Sequence, residues 1–126
     1  MAAPNLVNVT SIFGHSKGYA LNTTTTSDIL VCASNKLIKV NSIIVANIDG
    51  TNNADVTVYF HDSSVEGGGA FRTAIADAVT VPAKSTLIVL GKDAPIYLEE
   101  GDQIEGGATA NSDLHLTISY EILDDA

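Results

Sequence analysis

Histidine serves chemistry as a general base and as a metal ligand, and this chain has three. His15, His61 and His115 stand far apart in the sequence, and no HExxH or CxxC pattern sets ligands at metal-binding spacing. Gly14-His15-Ser16 places a base beside a hydroxyl. It lacks the second glycine of a nucleophile elbow and the strand–turn–helix setting that exposes such a serine. Gly67-Gly68-Gly69 resembles a phosphate loop, but it has neither a Gly-Lys-Thr/Ser ending nor a following helix. It is read as a plain loop.

Carboxylates gather at Glu99, Glu100 and Asp102. Paired carboxylates hydrolyse glycosides, yet these flank a Glu100-Gly101-Asp102 turn with no aromatic platform for a sugar. They are read as solvated turn acids. Asp49-Gly50-Thr51-Asn52-Asn53-Ala54-Asp55 is rich in oxygen ligands and loosely resembles a calcium loop. Its glycine comes second and no glutamate closes it, which departs from the EF-hand order. A hairpin turn is the expectation, and a Ca²⁺ site the alternative. Cys32, the single cysteine, lies between apolar neighbours and reads as a buried, inert thiol. The expectation is therefore no catalytic residue, no cofactor, no metal and no enzyme.

The elements that carry these residues follow from composition and period. The chain has 126 residues, enough for one domain spanning 1–126. Its apolar fraction of 45% comes from aliphatic residues, with aromatics at 6% and no Trp. Acids outnumber bases 15 to 6, a net charge of −9. That balance speaks against nucleic acid and against anionic membrane surfaces as partners. No basic segment followed by an apolar stretch opens the chain, and no apolar run approaches the roughly 20 residues of a membrane-spanning helix.

Most segments alternate with period two. In Leu114–Ile122, Leu114, Leu116, Ile118, Tyr120 and Ile122 share one face, and His115, Thr117, Ser119 and Glu121 the other. Val56, Val58 and Phe60 alternate in the same way with Asp55, Thr57, Tyr59 and His61. Further strands are predicted at Leu6–Phe13, Ala20–Thr25, Asp28–Ala33, Leu37–Ile48, Val79–Val81, Thr86–Leu90, Ile96–Glu99 and Gln103–Glu105. Glycine, proline and Asx turns separate them. Phe71–Val79 is the best candidate for a short helix or loop. Gly50–Val58 and Ala108–Leu116 echo each other, with Thr, Asn and Asp ahead of an alternating run. The fold expected is all-β: an antiparallel β-sandwich of jelly-roll-like form.

Two segments carry a family resemblance. One is Asn41–Gly50 running into Ala54–Val58. The other is Ile96–Ile104 running into Asp113–Ile122. Together they resemble small virion structural proteins of tailed bacteriophages, especially marine and cyanobacterial ones, over Val40 to Leu123. The resemblance implies a non-enzymatic protein of the virion, made in the host cytoplasm. Its leading form is a head decoration (cement) protein bound to the major capsid protein or another virion protein. A neck or tail component is the alternative, and a carbohydrate-binding module for host attachment is another.

Leu37–Ile48 and Thr86–Leu90 carry apolar residues on both faces. Ile38, Val40, Ile44, Ala46 and Ile48 are read as one face of the first strand, with Lys39, Asn41, Ile43 and Val45 on the other. Exposed apolar patches mark interaction sites. Ile43, Val45, Leu87 and Val89 are accordingly the expected interface residues. A homo-oligomer is expected, a trimer if the decoration reading holds, with Val45→Asp dissociating it while sparing the fold.

Overall fold

The computed structural model describes residues 11–63 and 71–124. Nine strands form there and no helix: β1 Ser11–Ala20, β2 Ser27–Val31, β3 Lys36–Asn47, β4 Ala54–Asp62, β5 Phe71–Val81, β6 Thr86–Leu90, β7 Ile96–Leu98, β8 Gln103–Ala108 and β9 Leu114–Asp124. They make two antiparallel sheets. The first runs β1-β9-β3-β6, with short β7 also on β3; the second runs β2-β8-β4-β5. With β7 set aside, β8 and β9 become the seventh and eighth strands, and the orders read 1-8-3-6 and 2-7-4-5. That is the double Greek key of a jelly roll.

The core lies between the sheets. Val40, Ile43, Val45, Leu114, Leu116 and Ile118 line it from the first sheet, and Val56, Val58 and Ile104 from the second, all at 0% exposure. No aromatic ring is among the fully buried side chains, so this interior is filled by branched aliphatic residues. Such side chains pack well on a pleated surface.

Three sequence expectations change. Phe71–Val79 is neither helix nor loop but most of β5, in register with β4 from Ala54↔Val81 to Asp62↔Phe71. Its alanines favour helix only weakly, and pairing along β4 overrides that preference. Ala20–Thr25 is not a strand: β1 ends at Ala20 and a turn leads to β2. The predicted Leu6–Phe13 strand lies partly, and Gly67-Gly68-Gly69 wholly, outside the described residues; β1 is Ser11–Ala20.

The third change concerns β3. Its ladder with β9 jumps from Val40↔Tyr120 to Ser42↔Ser119, leaving Asn41 as an extra residue. A bulge of this kind reverses which side chains face inward beyond it. Ile38 and Val40 are buried before the bulge, and Ile43, Val45 and Asn47 after it. The alternation read from the sequence runs straight through Asn41 and so assigns the second half of β3 to the wrong face.

The two echoing segments begin strands in different sheets, β4 and β9. Their approaches meet at one end of the sandwich, where Thr109 N–H donates to the Asp55 carbonyl at 3.0 Å and Asp55 N–H to Thr109 Oγ1 at 2.9 Å. At the same end the β1–β2 turn presses on β8. A Cβ built on Gly107 would lie 2.6 Å from the Thr24 carbonyl oxygen and 2.7 Å from Thr25 Cα. Only glycine allows that approach.

Candidate functional site

Most polar side chains that attract chemical attention are engaged in holding the fold. Glu105 is 2% exposed although it stands on the outward face of β8. Arg72 Nε donates to its Oε1 at 2.6 Å, and His61 Nδ1 lies 3.1 Å from its Oε2. The same Nδ1 is 2.7 Å from Gln103 Oε1. The His61↔Arg72 and His61↔Gln103 registers bring these side chains together across three strands. Burial opposes ionisation of Glu105, but the Arg72 hydrogen bond and charge, with His61, outweigh it and hold the carboxyl below its ordinary 4.5. A carboxylate so fixed is a structural anion and a poor proton shuttle. His61 is thus half-buried and bonded.

The turn acids divide in the same way. Asp102 is 1% exposed rather than solvated, because its carboxylate accepts from Ser63 N–H at 3.1 Å and Glu99 N–H at 3.0 Å. Glu100 Oε1 accepts from Asn35 N–H at 3.0 Å. Asp49 Oδ1 accepts from Thr51 N–H at 2.8 Å and Asn52 N–H at 3.2 Å. Those two amides lead in holding its carboxyl below the ordinary range. The Asp49–Asp55 segment is therefore built as an Asx turn. Among the described residues no three His, Cys, Asp or Glu side chains are grouped to hold a metal ion.

His15 and Ser16 point to opposite faces of β1, as strand neighbours must. The His15 ring stacks on Tyr120 at 5.5 Å and 20°, while Ser16 Oγ lies 3.2 Å from Ser119 Oγ. No base–nucleophile pair forms. Burial, foremost, pushes the Cys32 thiol up to about 11, so it is not a nucleophile at neutral pH.

Among the described residues, an apolar patch lies exposed on the outer face of the first sheet. Ile44 and Ile88 are cross-strand partners, 37% and 69% exposed. Ile48 beyond the end of β3 is 54% exposed, and Tyr97 on β7 is 41% exposed. The neighbours in register are Thr117 opposite Ile44, His115 opposite Ala46 and Lys39 opposite Tyr97. Ile44 and Ile88 have no acidic partner in register, whereas Lys39, beside Tyr97, also faces Glu121.

The residues expected to form an interface stand elsewhere. Ile43 and Val45 are both 0% exposed and belong to the core. Leu87, opposite Val45, and Val89, unpaired at a bulge, pack against that core as half-buried side chains. The bulge at Asn41 moves the outward apolar positions on β3 by one residue, to Ile44. Alternation of Leu87, Ile88 and Val89 alone leaves open which of them faces out; the β3 register decides for Ile88.

Comparison with known proteins gives little. No family model matches this chain, and no curated protein matches it. Among solved structures, a chain of the crystallised T13 IBDV viral particle is similar with a TM-score of 0.47 and 8% identity, over 92% of this chain. This chain spans 32% of that one.

Proposed function

We propose that this chain is a non-enzymatic structural protein of a virion and that it docks on the particle through the outer face of its β3–β6 pair. The observation that carries the reading is the exposed Ile44–Ile88 pair, extended by Ile48 and Tyr97. A closed sandwich gains nothing from these side chains in water, and contact with another protein would bury them. The Ile44–Ile88 pair has no charged partner in register, which matches the charge-depleted centre of a protein interface. A jelly roll is also an architecture shared by viral capsid domains, lectins and cupins. The resemblance to tailed-phage virion proteins supports a virion role over the other two.

Within that reading the chain is a head decoration protein whose partner is the major capsid protein, made in the host cytoplasm. The expected trimer follows from the decoration reading more than from particular residues, and the residues expected at its interface include Ile43 and Val45. These lie in the core, so the proposal carries no fixed copy number for the oligomer. The test is quantification of this chain against the major capsid protein in purified particles. A ratio near that of the capsid lattice supports decoration. Far fewer copies per particle point to a neck or tail position, and absence from the particle overturns the virion reading.

A further inference from the structure

We infer that two copies of this chain join edge to edge through β1, antiparallel about a two-fold axis, to make one continuous sheet. A sheet edge offers unpaired N–H and C=O groups, and proteins usually blunt it with bulges, short strands, proline or lysine. Three of the four edges here are blunted. β2 has five residues and a bulge, and Lys17 Nζ reaches across to donate to its Ile29 carbonyl at 2.6 Å. β5 carries two bulges, with Ala78 at a φ of 50°. The β6–β7 edge is broken between strands of five and three residues.

β1 has none of these devices. It has ten residues without proline, an unbroken register against β9 from Ser11↔Asp124 to Ala20↔His115, and β9 as its single partner among the described residues. Every residue of β1 except Ser11 and Tyr19 is exposed, including Ile12 at 61% and Phe13 at 52%. Its one lysine is turned aside to cap β2. The strand contains no carboxylate, so in this acidic chain it is an edge that a second copy can approach without stacking acid on acid.

The second copy is the occupant because an antiparallel strand is its own complement about a two-fold axis. That axis stands perpendicular to the sheet, so only residues on the same face pair, and the register sum must be even. Centring on Ser16 sets Phe13 against Tyr19 of the other copy, Ile12 against Ala20, and Gly14 against Gly18. Phe13 and Tyr19 then form two aromatic cross-strand pairs. The glycines also find a use there. A Cβ at Gly14 or at Gly18 would meet nothing within 4 Å in this chain, so neither is required by internal packing. Glycine in a strand weakens it unless another backbone or a ring comes close.

The test uses the full chain at tens of micromolar. Light scattering is expected to give twice the 13.1 kDa chain mass. Gly14→Glu/Gly18→Glu sets like charges opposite each other twice and is expected to weaken the dimer roughly tenfold or more. Gly14→Glu/Gly18→Lys, which sets opposite charges across the axis, is expected to restore it. Circular dichroism checks that each variant keeps the β-sheet spectrum, which the open space at both positions allows. A monomeric or trimeric wild type, or a dimer indifferent to both double substitutions, overturns the inference.

Discussion

Glu105 shows how a residue's role depends on neighbours far away in sequence. Period two places it on the outward face of β8, where a carboxylate is ordinarily solvated. Its burial arises because Arg72 and His61 arrive from β5 and β4, seen only once the registers are known. The folded-state carboxyl titrates below 4.5. The unfolded chain therefore takes up this proton first, and the stabilisation is present above about that pH and lost as pH falls through the folded value. Glu105→Gln should lower stability at neutral pH by about 1–3 kcal/mol and flatten the loss on acidification below 4.5. Urea melts of both proteins at stepped pH check the two slopes. Gly107→Ala is a steric prediction of the same scale. A methyl group would meet the Thr24 and Thr25 backbone, so a loss of roughly 1–3 kcal/mol is expected in thermal melts, against almost none for Gly14→Ala.

At the level of elements, legibility follows the strength of alternation. β9 and β6 are readable because their apolar residues are dense; Thr86–Leu90 matches β6 from end to end. β1 was largely unreadable: exposed on both faces, it has no apolar period. β5 was misread because an edge strand with two bulges breaks alternation while its alanines suit a helix. The bulge at Asn41 is silent in sequence, yet it decides which β3 residues face out. That yields a sharp contrast. Val45→Asp buries an unpaired charge and should unfold the protein or cost at least 3 kcal/mol. Ile44→Asp, one residue away, should leave the melting temperature within a few degrees of wild type. Equal destabilisation by the two would contradict the register.

For the whole molecule, the sandwich and its jelly-roll order were foreshadowed by many short strands with turn chemistry between them. Apolar residues on the outer face of the first sheet were foreshadowed, but at other positions. Leu37–Ile48 and Thr86–Leu90 do carry apolar residues on both faces, but the outward set is Ile44 and Ile88 rather than Ile43 and Val45. Among the described residues, Asp49, Glu100 and Asp102 accept backbone hydrogen bonds in turns, and buried Glu105 pairs with Arg72. Two surface features stand out among the described residues: the exposed Ile44–Ile88 pair on the first sheet and β1, whose single strand partner is β9.

The most direct measurement is co-sedimentation of the purified chain with particles stripped of it, comparing wild type with Ile44→Asp/Ile88→Asp. The substituted protein should remain folded by circular dichroism and lose particle binding by roughly tenfold or more, as expected for charge placed at the centre of an interface. Undiminished binding by the folded variant would contradict docking through this face.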